Sequence, residues 1–314
     1  MKIFYREIIK KAWTTTKKLK FLWFFGIFAS LTANGEEYDI IIRNIDTVTN
    51  LERVIKNLRN TLNEGVFSIV SENLNTFFTK NVFSSILVVL VGIIIAAAAV
   101  YLITISQVAI ISAAHRFKKK KSVAFLDGFF IGTKKFWPIL IINLIAKAII
   151  YGLLLVIGIP LAISYVNSGS TGTLTTLSVF AFIILIPLNI FISFLVRYAT
   201  INVILNGEKI KASIKTSFHL FRKNWLITLE NAILLYVINF VITFVIVSVL
   251  TFLSLPFTAW GYAIFMAIII FVGSLIATFR FSVWTYLFES ISKGEGLSKI
   301  LRIFQRKKPK EISE

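Results

Sequence analysis

Six apolar stretches, at 21–33, 82–114, 137–166, 177–205, 226–255 and 257–288, are separated by segments whose charge changes character at every crossing. Residues 1–20 hold 7 basic and 1 acidic side chain, 115–136 hold 7 and 1, 206–224 hold 5 and 1, and 289–314 hold 7 and 4. Between them, 34–81 holds 5 basic and 7 acidic residues, and 167–176 holds none of either. A bilayer imposes that alternation, because cytoplasmic loops retain Lys and Arg. The pattern predicts an all-α, polytopic integral membrane protein with about six transmembrane helices and both termini in the cytoplasm.

Composition agrees. Hydrophobic residues make up 57% of the 314 and charged ones 16%, with a mean hydropathy of +0.82. Ordinary globular proteins carry about 25% charged residues. The net charge of +19 lies in short inter-span segments, so it calls for anionic phospholipids of the cytoplasmic leaflet and not for nucleic acid. There are no cysteines and two histidines, His115 and His219, both in basic stretches where a cation or proton would meet repulsion. No metal site and no cofactor is expected.

The first stretch is short: thirteen residues cover about 20 Å as helix. It reads as an uncleaved span whose Lys17, Lys18 and Lys20 snorkel to the headgroups, or as a signal peptide after a Lys-rich start. Spans two, four and six run about 45–50 Å, so they must tilt, bend or project; Pro187 offers a kink in the fourth.

A shift of 88 residues aligns Ala124 with Ala212, Phe130 with Phe218, Lys135 with Lys223, Trp137 with Trp225 and Asn143 with Asn231. The repeated unit, about 116–166 and 206–255, is a basic loop, a short amphipathic helix, a tryptophan and a span. Gly294-Glu295 restarts it by matching Gly207-Glu208. Ile210, Ile214, Phe218, Phe221 and Trp225 fall on one helical face, and Val123, Leu126, Phe130 and Trp137 sketch the same stripe. Leu297, Leu301 and Phe304 begin another. Such helices either lie in the membrane interface or pack on protruding span ends. In the first case Arg116, Lys118, Lys119, Lys120, Lys121, Lys211, Lys215, Arg222 and Lys223 contact lipid headgroups. Each then contributes about 1 kcal/mol near an anionic leaflet. Trp23, Trp137 and Trp225 are the expected interfacial anchors.

The domain plan is therefore a basic cytoplasmic helix at 1–20, a first span at 21–33 and an extracytoplasmic helical insert at 34–81. A five-helix domain at 82–288 and a basic tail at 289–314 complete it. In the insert, Val48, Leu51, Ile55, Leu58 and Leu62 keep helical spacing up to Gly65.

Ionisable residues inside spans are expensive and therefore informative. Arg197 and Arg280 each lie about 30 Å from the outer edge, where snorkelling explains them. Glu230, five residues past Trp225, is level with both and offers either a partner. Lys147 lies about 15 Å deep, near the midplane, and should face the bundle interior. With Asn143 and Asn231 it would line one polar cavity, serving a structural hydrogen-bond network or a transport path. No paired carboxylates, Walker sequence or other catalytic constellation is present, so no enzyme is expected. The Gly/Ser/Thr stretch at 167–173 reads as a flexible bridge. The small-residue run Ala96 to Ala99 would let another helix approach closely, but it leaves homo-oligomerisation and protein partners open.

Ala12-Trp13 with its following lysines, Lys20-Phe21-Leu22-Trp23-Phe24-Phe25-Gly26, and the helix from Lys215 to Arg222-Lys223-Asn224-Trp225 carry a resemblance. Most of the chain resembles a loose group of uncharacterised bacterial inner-membrane proteins. These include the membrane domain that accompanies some glycerophosphodiester phosphodiesterases. The resemblance implies topology and a bacterial cytoplasmic membrane. The activity of that family resides in a soluble barrel that this sequence lacks, so no catalytic residue carries over. The functional expectation is a non-enzymatic protein that organises or senses lipid, or anchors a partner. The alternative is a small transporter or channel around Lys147.

Overall fold

Residues 4–31, 82–168, 171–253 and 259–295 are described by a computed structural model. They form helices α1 (Phe4–Lys18), α2 (Leu22–Ser30), α3 (Val82–Lys118), α4 (Phe125–Ser168), α5 (Thr171–Asn206), α6 (Ile210–Phe252) and α7 (Ala259–Ser292). No strand occurs among the described residues. The expected insert at 34–81 and the stripe Leu297, Leu301 and Phe304 lie outside them.

Five helices, α3 to α7, are long and apolar enough to cross a membrane. The chain is an all-α, multi-pass membrane protein, the architecture in which every backbone group can be satisfied within lipid. The described α2 has nine residues, or about 14 Å, too short to be counted with the five.

Element boundaries differ from expectation in two ways. The Gly/Ser/Thr bridge is mostly helical: α4 continues to Ser168 and α5 starts at Thr171. Pro187 sits inside α5 without ending it. Second, the earlier short helix is not a separate element, since α4 runs on through Trp137. The later one is: α6 is two helices joined across a kink at Asn224 (φ −126°, ψ 26°), one residue before Trp225. At that kink the Asn224 amide donates to the Leu220 carbonyl at 3.0 Å.

Three helix C-termini end alike. Lys120 (φ 55°), Gly207 (φ 70°) and Gly294 (φ 74°) are left-handed and stand 87 residues apart. Lys121 N–H donates to the Arg116 carbonyl at 3.1 Å, and Glu295 N–H to that of Ser290 at 3.0 Å, as in a Schellman cap. Lysine bears a Cβ penalty in this conformation where glycine bears none. Lys120→Gly should therefore raise stability by about 0.5–1 kcal/mol in thermal unfolding of the detergent-solubilised protein, and a loss would contradict the cap.

The chain divides into two compact units. The first comprises Met1–Ala33, Leu102–Asn143 and Phe194–Glu314; the second comprises Asn34–Tyr101 and Leu144–Ser193. In the second unit the described segments expose large apolar side chains such as Ile93, Val156 and Ile183, as a lipid-facing surface requires.

The first unit holds a close-packed core. Without a hydrophobic force between helices in lipid, small residues and hydroxyls must bring them together. Gly26 of α2 lies on Ser274 and Thr278 of α7, so closely that a Cβ would stand 2.6 Å from Thr278 Oγ1. Thr278 Oγ1 donates to the Leu22 carbonyl at 3.1 Å, and Ser274 Oγ to that of Trp23. Gly128 and Gly132, one turn apart on α4, approach Ala109 and Ile105 of α3 in the same manner. α1 also packs on α7, burying Tyr5, Ile8, Ala12 and Thr15 on one face.

Candidate functional site

The polar interior of the first unit has two parts. In the first, Glu289 of α7 accepts Lys118 Nζ at 2.5 Å and pairs with His115 Nδ1, both from α3. Glu289 is only 9% exposed, which makes it a buried carboxylate held by two nitrogen groups. One turn earlier on α7, the Tyr286 hydroxyl donates to the Ala114 carbonyl at 3.1 Å and lies 2.6 Å from Thr15 Oγ1 of α1. Lys118 Nζ also stands 5.6 Å from the Tyr286 ring centre, a cation–π distance. This cluster ties α1, α3 and α7 together.

The second part surrounds residues 194–199 of α5. Tyr198 hydroxyl and Thr228 Oγ1 of α6 are 2.6 Å apart, and Ser213 Oγ donates to the Ala199 carbonyl at 2.8 Å. Trp284 of α7 packs on Phe194 and Tyr198, with ring centres 5.7 and 6.1 Å away. The Arg197 guanidinium lies 4.3 Å over the Trp284 ring. Within this shell, Ser217 Oγ, both amide atoms of Asn231 and Trp284 Nε1 are buried with no hydrogen-bond partner among the described residues.

The residues singled out in the sequence fare unequally. Lys147 was expected to face the bundle interior but is exposed on α4. Ile142 and Ala146 take the buried face, and the next residue is turned about 100° away from Ala146. Asn143 is half-buried and donates to Gln107 Oε1 at 3.4 Å. Its counterpart Asn231 is 1% exposed. Arg197 and Arg280 are each 8% exposed, so burial among helices replaces the expected snorkelling. An aromatic face explains how Arg197 is accommodated, and Arg280 similarly lies 5.9 Å from the Phe281 ring centre. Glu230 accepts the Tyr5 hydroxyl.

Among the basic residues, Lys119, Lys120, Lys121, Lys211, Lys215, Arg222 and Lys223 are exposed. Lys118 instead turns inward to Glu289, and Arg116 stands 3.3 Å from Asp127. His115, expected in a repulsive surrounding, has that same carboxylate beside it. Trp137 and Trp225 are exposed, as anchors need, whereas Trp23 Nε1 donates to the Thr16 carbonyl at 2.8 Å and joins α2 to α1.

The apolar stripes also turn out differently from a buried face. Phe218 and Trp225 are exposed while Ser213 and Ser217 are buried. On α4, Leu126, Phe130 and Trp137 are exposed, with Gly128 and Gly132 inward. The small residues face the protein, while the bulky apolar ones divide: Phe221 stacks on Phe194 and Phe125 on Phe25, and the five named above are exposed. Glu289, Tyr286, Tyr198 and Thr228 escaped notice because nothing in local spacing marks their tertiary partners. Gly128/Gly132 and Ser274/Thr278 did carry a signal, the four-residue spacing of small side chains. Ala96 to Ala98, the run that attracted attention instead, are exposed.

Among the described residues no group of three or more His, Asp or Glu could hold a metal ion. No family model matches the chain, and neither a curated protein nor a solved structure matches it.

Proposed function

We propose that this is a non-enzymatic integral protein of a bacterial cytoplasmic membrane that gathers anionic phospholipid around its basic face. In this reading the chain crosses six times, with 21–33 as the first span and both termini cytoplasmic. Two repeated units each present an interfacial helix segment to the inner leaflet. The equal spacing of the three left-handed C-caps supports the repeat.

One observation carries the lipid reading. On both α4 and α6, glycine or serine packs inward while Leu126, Phe130 and Trp137, or Phe218 and Trp225, point out, with Lys119–Lys121 and Lys211, Lys215, Arg222 and Lys223 exposed nearby. Apolar side chains would enter the acyl boundary and the cations would meet the phosphates. The exposure of Lys147 gives no support to an enclosed transport path around it.

Reconstitution with brominated lipids tests this through quenching of tryptophan fluorescence. Brominated phosphatidylglycerol should quench more strongly than brominated phosphatidylcholine at equal mole fraction. Replacing Lys119, Lys120 and Lys121 by glutamine should reduce that preference about tenfold or more, at about 1 kcal/mol per cation. Equal quenching by the two lipids, unaltered by the substitutions, would refute the reading.

A further inference from the structure

We propose that α1 is a third lipid-contacting element. It lies flat at the depth of the inner headgroups, where Arg6, Lys10, Trp13 and Lys17 bind the phosphates of anionic phospholipid. The inference rests on the reading above for the side of the membrane, but on different residues.

The packing of α1 on α7 repeats that of α6 on α5. Ser213 Oγ of α6 donates to the Ala199 carbonyl, and Thr15 Oγ1 of α1 lies 2.6 Å from the Tyr286 hydroxyl. Ala199 and Tyr286 each stand eight residues before a left-handed cap, at Gly207 and Gly294. Ala12 and Thr16 are buried four residues apart, as are Gly128 and Gly132 on α4 and Ser213 and Ser217 on α6. α1 thus holds on α7 the place that the first segment of α6 holds on α5.

Its anchors set its depth. Thr228 of α6 and Trp284 of α7 both flank Tyr198, so they share one level. Glu230, which accepts the Tyr5 hydroxyl, is two residues outward from Thr228. Phe279, whose ring centre is 6.1 Å from that of Trp13, is five residues outward from Trp284. At about 1.5 Å per residue the two anchors differ in depth by about 5 Å, although about 12 Å of α1 separates Tyr5 from Trp13. A helix held in this way runs across the bundle rather than along it. Phe279 adjoins Arg280, about 30 Å from the outer edge, which is the depth of the inner headgroups.

The side of α1 turned away from the bundle has a matching chemistry. Arg6, Lys10, Trp13 and Lys17 recur at spacings of 4, 3 and 4, a single helical face, and all four are exposed. Tyr5, Ile8, Ala12 and Thr16 are buried on the opposite face. Glu7, the one carboxylate of α1, pairs with Lys11 at 2.7 Å outside the exposed strip. Lys17 Nζ stands 5.0 Å over the Trp13 ring, which brings ammonium and indole to one place. Three cations and an indole without an acid suit a layer of phosphates above acyl chains. The guanidinium can hold a phosphate by two N–H bonds, the ammonium groups act as point charges, and the indole favours the boundary.

The chain has no cysteine, so Thr14→Cys, one turn from Lys10, can carry a nitroxide while all four side chains of the strip remain. The full chain would be reconstituted in phosphatidylcholine, with and without phosphatidylglycerol. The label's mobility and its exposure to oxygen and to a water-soluble nickel complex would be measured. It should lie at headgroup depth and lose mobility when phosphatidylglycerol is present. Replacing Arg6, Lys10 and Lys17 together by glutamine should abolish that response, whereas Lys11→Gln and glutamine at Lys119–Lys121 should leave it. Should the triple variant not fold, Arg6→Gln and Lys10→Gln are made singly, and each should weaken the response. Equal mobility in the two bilayers, or a response that the glutamine variants keep, overturns the proposal. So does a label immersed in water in both, which would turn the strip toward a soluble acidic partner. In any of these cases a persisting preference for brominated phosphatidylglycerol leaves the surface reading standing, and its absence removes both.

Discussion

Leucine at Gly26 should detach α2 from α7 and lower stability by about 3 kcal/mol or more. A Cβ at this position already meets Thr278 Oγ1 at 2.6 Å and Ser274 Oγ at 2.7 Å, and the Ser274 carbonyl more closely still. Part of the obstacle is α7 backbone, which cannot rotate aside as a side-chain tip would. Relief therefore requires the helices to separate. Separation breaks the hydroxyl bonds from Ser274 to the Trp23 carbonyl and from Thr278 to that of Leu22. The hydroxyls can fall back on their own helix, as Thr278 already does by donating to the Ser274 carbonyl at 2.9 Å. The inter-helix contact is what the variant loses. The loss should appear as a lower midpoint of thermal unfolding in detergent. Proteolysis should also speed up in the segment joining α1 to α2. Gly26→Ala should show a smaller shift of the same sign. A leucine variant as stable as wild type would mean that the close approach of α2 to α7 is wrong.

That contact illustrates what could and could not be read in the chain beforehand. Apolar length and the placement of lysines foretold the long helices and their order, because a bilayer acts on every residue of a span alike. The left-handed Gly207 and Gly294 were also visible as a repeated Gly-Glu pair. Lys120 hid the third member, since a lysine advertises no turn. Side-chain partners were less legible. Spacing put Arg197, Glu230 and Arg280 at one level but could not say that Arg197 would cover an indole or that Tyr5 would reach Glu230. Lys147 was assigned inward on energetic grounds, yet the face of α4 is chosen by Ile139, Ile142 and Ala146, whose burial depends on neighbours far away in sequence. The stripe on α6 divides between half-buried Ile210, Ile214 and Phe221 and exposed Phe218 and Trp225, because polarity alone does not distinguish a face turned outward from one turned to protein. Gly128, Gly132, Ser213 and Ser217 decide it, because small residues permit helices to approach closely.

Removing the Glu289 carboxylate should be the most damaging single change in the cluster that joins α1, α3 and α7, about 3 kcal/mol for Glu289→Leu. The reason lies less in the strength of the ion pair than in what remains after it is broken. Lys118 and His115 have side chains only 24% and 23% exposed, and their nitrogen groups converge on Glu289. Without the carboxylate, a lysine ammonium stays half-enclosed between α3 and α7, with the Tyr286 ring as its remaining polarisable neighbour. Lys118→Met should restore much of the loss, since it withdraws the stranded charge while keeping the aliphatic stem. A double-mutant cycle between the two positions should therefore give a coupling of about 1–3 kcal/mol by thermal unfolding. Glu289→Gln should fall between, as it retains an acceptor but no charge. Adding high salt should change the wild-type midpoint little, because a buried pair is screened far less than an exposed one. Lys11 and Glu7, an exposed i, i+4 pair at 2.7 Å, provide the control: Lys11→Met should cost no more than about 0.5 kcal/mol. Additive effects at Glu289 and Lys118 would show that the two helices are held by packing alone.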